Sequence, residues 1–155
     1  MAVSESLGSR PSTLGPALEI EGYASLWWAR DLNDDVVAKG AFAESLARTG
    51  SGGVKMLWRH EAAEPVGVWD EVREDGRGLF VRGRVLGLGP QGRLAGALVR
   101  SGAVDGLSIG YRTAAARRDG RLRVLSRVEL WEVSLVTFPM LPGARVSWVD
   151  RQTAA

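Results

Sequence analysis

The feature that most limits the fold of this chain is a repeated alternation of apolar and polar residues, interrupted by short turn signals. In residues 18–26 the apolar positions are the even-numbered Leu18, Ile20, Ala24 and Leu26. A period of two is typical of a β-strand with one buried face. A second alternating run over residues 54–60 places His60 near the end of a strand. The alternation therefore favours a fold built mainly of strands.

Turns rich in glycine and aspartate separate further apolar runs into pairs. The two clearest are Glu74–Gly78, between runs at 66–72 and 79–86, and Asp119-Gly120, between runs at 106–113 and 122–137. Turns of this composition between apolar runs indicate β-hairpins. The last run is long enough to bend or to contain a β-bulge.

Two segments have the spacing of short amphipathic helices, residues 41–48 and 93–100. Together with the strands they predict a mainly β (α+β) domain, a closed or nearly closed β-barrel of about six to seven strands with helices packed outside. We expect a single domain at 17–149, with a disordered tail at 1–16 and a second tail at 150–155.

Composition excludes several classes of function. The 155 residues include 20 Lys and Arg against 18 Asp and Glu, a net charge of only +2 that predicts no nucleic-acid binding. The absence of cysteine rules out disulfides, cysteine nucleophiles and thiolate metal sites. No apolar run approaches the roughly 18–20 residues of a membrane span, so no membrane association is expected.

A serine between two glycines is the first candidate for chemistry. Gly106-Leu107-Ser108-Ile109-Gly110 has the pattern Gly-x-Ser-x-Gly, which also arises in a strand that a neighbouring backbone approaches closely. The nucleophile elbow of α/β-hydrolases has this pattern, but those enzymes place their histidine after the serine. Here the only histidine, His60, lies before it. If Ser108 is a nucleophile, His60 must be its general base.

A histidine base needs an acceptor on its other ring nitrogen, and here that acceptor must be acidic. The candidates are Glu129 and Glu132. Glu132 lies within an apolar run, where an unpaired carboxylate is costly, whereas Glu129 is more easily explained as solvated. If the strands around Asp119-Gly120 paired without irregularity, Ser108 would lie opposite Glu132 with Cβ atoms about 5 Å apart. A Ser-His-Glu arrangement therefore predicts a bulge or an intervening strand.

The residues after His60 also invite a metal hypothesis, because His-Glu-x-x-His on a helix binds zinc. In this chain Glu64 replaces the second histidine, and Pro65 argues against a helix. We therefore expect no metal and no other cofactor.

Three groups of residues, taken in order, resemble the prohead (capsid-maturation) serine proteases of tailed phages and gene transfer agents. They are Gly22-Tyr23-Ala24 with the Asp-rich loop 31–35 and Gly40-Ala41-Phe42; Leu57–His60 with Pro65-Val66-Gly67; and Leu107–Tyr111 with Glu132–Pro139. The resemblance covers residues 18–146 and implies a relation to the herpesvirus capsid-maturation proteases. It implies a β-barrel serine endopeptidase with catalytic residues in the order His60, Ser108 and a third member. The herpesvirus third member is a second histidine, which this chain lacks, and Glu132 takes its place.

The resemblance also implies where such an enzyme acts and on what. Its substrates would be the major capsid protein with its scaffolding segment, extending to the portal and to the protease itself. Its place would be the assembling prohead in the bacterial host cytoplasm, as a monomer, a homodimer or a higher oligomer. Two alternatives stay open: a catalytically inactive capsid-assembly module of the same fold, and a hydrolase that uses the same Ser-His pair on esters.

Overall fold

The structure is a computed structural model that describes residues 15–150. The tails predicted at 1–16 and 150–155 fall almost entirely outside the described residues, so they stay predictions. The first strand begins at Gly15, slightly before the expected start of the folded part.

Within the described residues, eight strands form one sheet, accompanied by two α-helices and a single 3₁₀ turn at Ser51–Gly53. The strands are β1 (Gly15–Leu26), β2 (Asp35–Val37), β3 (Lys55–Trp58), β4 (Glu61–Glu74), β5 (Gly78–Gly87), β6 (Gly106–Asp119), β7 (Leu122–Val136) and β8 (Val146–Trp148). The helices are α1 (Ala43–Thr49) and α2 (Gly89–Ser101). Both predicted helices and both predicted hairpins are confirmed. Helix α2 begins earlier than expected because proline is tolerated in the first turn of a helix.

The sheet is ordered around its longest strand, β7. One edge of β7 pairs with β6 in the second hairpin, and the other edge pairs in parallel with β2 and with β3. From β3 the sheet continues through β4, β5 and β1 to β8, all antiparallel. The apolar residues Leu18, Ile20 and Ala24 of β1 are buried, as the alternation predicts, and Ser25 is buried as well, next to a register shift in the pairing with β5.

The sheet curls into a half-barrel and does not close fully, which corrects the closed form of the expected closed or nearly closed barrel of about six to seven strands. Strand β8 pairs with β1 over three residues, and just before β8 an isolated bridge joins Arg145 to Gly106 at the start of β6. The strand count was too low because β2 and β8 contain only three residues each. The core includes Phe42, Ile20 and Leu107, which are completely buried.

Candidate active site

His60 lies in the tight turn that joins β3 to β4. Trp58 pairs with Glu61 across this turn, so Arg59 and His60 are its two central residues, with φ of 51° and 64°. Positive φ at both central positions is the requirement of a type I′ turn, and it is costly for residues with a Cβ. Strand β7 supports the turn: the Arg59 N–H donates to the Leu135 carbonyl at 3.1 Å, and the His60 N–H donates to the Ser134 hydroxyl at 2.9 Å.

Ser108 lies on β6 and is only 8% exposed. Its partner across the hairpin is Ser134. Gly110 pairs with Glu132 but Tyr111 pairs with Leu130, so Trp131 is an extra residue in β7 and forms a bulge. This bulge confirms the irregularity that the sequence required. The turn pairs Asp119 with Leu122, one residue out of the expected register, and the bulge adds a second residue, so Ser134 and not Glu132 lies opposite Ser108.

The two glycines around Ser108 allow close packing within a strand and do not form a nucleophile elbow. A Cβ on Gly110 would lie 2.2 Å from the Glu132 Oε1 atom, and a Cβ on Gly106 would lie 2.7 Å from the Val136 carbonyl oxygen. Gly110 therefore makes the space into which the Glu132 side chain folds. The hydrolase-elbow interpretation is excluded by this geometry as well as by chain order.

Glu132 is the carboxylate that the fold brings to His60. Its Oε1 atom lies 2.5 Å from His60 Nδ1, and its Oε2 atom accepts a hydrogen bond from the Ser134 hydroxyl. The residue is 8% exposed. Glu129 instead binds the Arg112 guanidinium through both carboxylate oxygens, at 3.0 and 2.7 Å, away from the histidine. Of the two sequence candidates, only Glu132 can hold the imidazole.

The electrostatics of the His60–Glu132 contact favour a charged imidazole. The hydrogen bond that His60 Nδ1–H donates to Glu132 raises the pKa of His60 above its ordinary value, and the negative charge of Glu132 acts in the same direction. Partial burial of the ring opposes this shift. The His60 side chain remains 45% exposed, so a reacting group can reach it.

Ser108 and His60 both line a cavity of about 200 Å³ between β1, β6 and the loops before β2 and after β7. The Ser108 hydroxyl makes no side-chain hydrogen bond within the described part of the chain, so it is available to a bound group. Contacts between nucleophile and base are often longer than a hydrogen bond in unliganded sites. The cavity thus brings together the two residues that the sequence paired, with Glu132 behind the imidazole.

Another part of the cavity wall is acidic, a feature that the sequence revealed only as a polar loop. Asp31 and Asp35 line it. Asp35 forms a two-point ion pair with Arg123, with both N–O distances at 2.9 Å, while Asp31 accepts two backbone N–H groups of its own loop. Burial raises the pKa of Asp31, and burial together with the charge of Asp35 raises the pKa of Tyr111 beside them.

Residues 15–150 contain no cluster of three or more His, Asp or Glu side chains arranged to hold a metal ion. His60 and Glu64, the pair that suggested zinc, stand on a turn and a strand and not on one helix face. No helix in the same part of the chain is long and apolar enough to cross a membrane.

Comparisons with known proteins identify the family of the chain. The family model for the caudovirus prohead serine proteases matches residues 8–155. A prohead protease of Enterobacteria phage HK97 is 34% identical over 125 residues, which are 77% of this chain and 54% of that protein. The chain therefore spans about half the length of this relative.

Solved structures of viral proteases share the fold. The bacteriophage T4 capsid assembly protease has a TM-score of 0.64 at 17% identity, covering 78% of this chain and 82% of that one. The KSHV protease in complex with a hexapeptide phosphonate inhibitor has a TM-score of 0.58 at 13% identity, over 87% of this chain and 66% of that one. The varicella-zoster virus protease has a TM-score of 0.51 at 17% identity, over 86% and 64%. At these identities the likeness concerns the fold.

Proposed function

The chain belongs to the caudovirus prohead serine protease family, and from that premise we propose that it is an endopeptidase with Ser108 as nucleophile, His60 as general base and Glu132 as third member. The observation that carries the proposal is the contact of Glu132 with His60 Nδ1 in a cavity that Ser108 also lines. A carboxylate on Nδ1 keeps the proton there and leaves Nε2 free to accept one.

The proposed reaction is acyl transfer to Ser108. As the Ser108 oxygen bonds to the peptide carbonyl carbon, its proton passes to His60 Nε2, and the carbonyl oxygen becomes an oxyanion that backbone N–H groups stabilise. Glu132 stabilises the imidazolium, consistent with the raised pKa of His60. The C–N bond then breaks as His60 gives the proton to the departing amine. Water, deprotonated by His60, hydrolyses the acyl-enzyme and restores Ser108.

We propose the substrates from the names of the relatives, a prohead protease and a capsid assembly protease. The substrate would be the major capsid protein with its scaffolding segment, and the portal and the protease itself are further candidates. The reaction would take place inside the assembling prohead in the bacterial host cytoplasm.

Co-expression with the cognate major capsid protein tests the proposal. Wild-type protein and a control Ser126→Ala, at an exposed serine of β7, should yield trimmed capsid protein by intact-mass spectrometry, whereas Ser108→Ala should leave it full length. A fluorophosphonate probe should label wild type and the control but not Ser108→Ala. Cleavage by purified Ser108→Ala would contradict the assignment. A wild type that neither labels nor trims would favour the inactive assembly module.

A further inference from the structure

A second serine, Ser134, has its hydroxyl behind the candidate catalytic residues and plays no part in the mechanism above. It lies on β7, opposite Ser108 on one side and beside Leu57 of β3 on the other. Its exposed fraction is 0%. It is not among the residues that line the cavity, so a substrate in the cavity would not touch it.

The Ser134 hydroxyl makes two hydrogen bonds that both lead to His60. Its oxygen accepts the backbone N–H of His60 at 2.9 Å, and its proton is donated to Glu132 Oε2. Glu132 in turn holds His60 Nδ1 through its other oxygen. The Glu132 carboxylate can only accept hydrogen bonds, so the one proton of the Ser134 hydroxyl is donated to it while the hydroxyl oxygen accepts the His60 N–H. The three residues form a closed ring of contacts.

We infer that Ser134 is a positioning residue for the catalytic histidine. It fixes Glu132 in the orientation that presents Oε1 to the imidazole, and it holds the backbone of His60 in a turn whose positive φ is otherwise unfavourable. The Ser134 hydroxyl thereby fixes both the backbone conformation of His60 and, through Glu132, the orientation of its ring. This inference rests on the proposed function for its kinetic consequences, but its structural consequences can be measured without any activity.

Removal of the hydroxyl should affect turnover more than substrate binding. In Ser134→Ala the His60 N–H loses its acceptor and Glu132 Oε2 loses its donor, so the carboxylate is free to leave Nδ1. We expect kcat to fall about tenfold to a hundredfold, the effect typical of one hydrogen bond to a charged group. KM should change by less than about threefold, because Ser134 is outside the cavity wall.

The single histidine makes a direct measurement possible. In full-length protein labelled with ¹⁵N-histidine, one imidazole gives the ring-nitrogen signals, so both the titration and the tautomer of His60 can be followed by NMR. In wild type and in the Ser126→Ala control, the pKa of His60 should lie above its ordinary value. In Ser134→Ala it should move toward that value, and the preference for the Nδ1–H tautomer should weaken. A serine with only a structural role would lower stability and leave both NMR readouts unchanged.

The outcomes separate this inference from the proposed function. A folded Ser134→Ala whose His60 titration, tautomer and kcat match wild type would overturn the positioning role, whatever Ser108→Ala does. Cleavage by Ser108→Ala would overturn the proposed protease mechanism. The His60 titration and tautomer measured by NMR would then still show whether Ser134 positions the histidine. If Ser134→Ala does not fold, the wild-type protein decides. A slowly exchanging Ser134 hydroxyl proton with a cross-peak to the His60 amide supports the role, and a His60 amide that exchanges as fast as a solvated turn overturns it.

Discussion

Replacement of Glu132 by glutamine tests the third member of the proposed triad, and the structure predicts how the new amide would bind. Ser134 is fully buried, and within the described residues its hydroxyl proton is donated to the side chain of residue 132. In Glu132→Gln the amide oxygen would therefore face Ser134, and the NH₂ group would face His60 Nδ1. An NH₂ donor requires Nδ1 to be the unprotonated nitrogen, which moves the ring proton to Nε2. His60 would then be unable to take the proton of Ser108.

The size of the effect follows from the tautomer and not from packing, because glutamine has nearly the same shape as glutamate. Loss of the correct tautomer in Ser-His-acid enzymes lowers kcat by about 10⁴-fold. The ring of His60 is 45% exposed, so water can support part of the correct tautomer here. We therefore expect kcat to fall about 10³-fold to 10⁴-fold, which is about 4–5.5 kcal/mol of transition-state stabilisation.

Glu129→Gln is the matched control, since Glu129 lies on the same strand and was the other candidate in the sequence. It pairs with surface arginines, and its replacement should change kcat by less than about twofold. The assay is single-turnover cleavage of the capsid protein, with ¹⁵N NMR of His60 to identify the tautomer. The triad assignment fails if Glu132→Gln cleaves within threefold of wild type, or if Glu129→Gln is the impaired variant.

Two further predictions concern pH and the glycine beside Glu132. The raised pKa of His60 keeps the imidazole protonated to higher pH. In a plot of kcat/KM against pH, the apparent pKa on the acid side should therefore lie above the ordinary histidine value of about 6.5. An apparent pKa at or below about 6.5 would be inconsistent with the His60–Glu132 contact. The same contact stabilises the fold, fully below about pH 6.5, and this stabilisation is lost as pH rises through the folded-state pKa of His60. The difference in urea midpoint between wild type and His60→Gln should therefore shrink between these two pH values. In Gly110→Ala the new Cβ would lie 2.2 Å from Glu132 Oε1, so the carboxylate must move. We expect kcat to fall at least about 100-fold and the free energy of unfolding to decrease by about 1–3 kcal/mol. Gly76→Ala is the control, because a Cβ there meets open space, and it should match wild type in kcat and in the free energy of unfolding. If Gly110→Ala behaves like Gly76→Ala, Gly110 does not make room for Glu132.

Much of the local structure could be predicted because each part has a local cause. The two long hairpins were predicted because alternating strands flank turns that contain glycine. The bulge in β7 was predicted because an uninterrupted register would have placed Glu132 against Ser108. Strands β2 and β8 could not be predicted, because three residues are too few to show a periodicity. Whether the barrel closes or stays open could not be decided for the same reason, since closure depends on how far β8 pairs.

The site was predicted only where its residues are chemically distinctive. His60 and Ser108 stood out, one as the single histidine and the other between glycines. The turn at Arg59 and His60 gave no signal, because tight turns with positive φ usually contain asparagine or glycine. Its conformation is imposed by hydrogen bonds to Ser134 and Leu135, which are remote in the chain. Ser134 was missed because a serine within an apolar run resembles any other strand residue.

The parallel pairing of β3 with β7 determines when the proposed triad can assemble as the chain folds. Ser108 and Glu132 belong to one hairpin, whose strands are joined by a tight turn and can meet early. His60 is 72 residues from Glu132 and reaches it only when β3 docks on β7. Closing so long a loop costs more entropy than closing a hairpin, so we expect this step to come late. A chain that has formed only its hairpins would hold Ser108 without its proposed base, so the proposed hydrolytic activity would arise only with the complete tertiary structure.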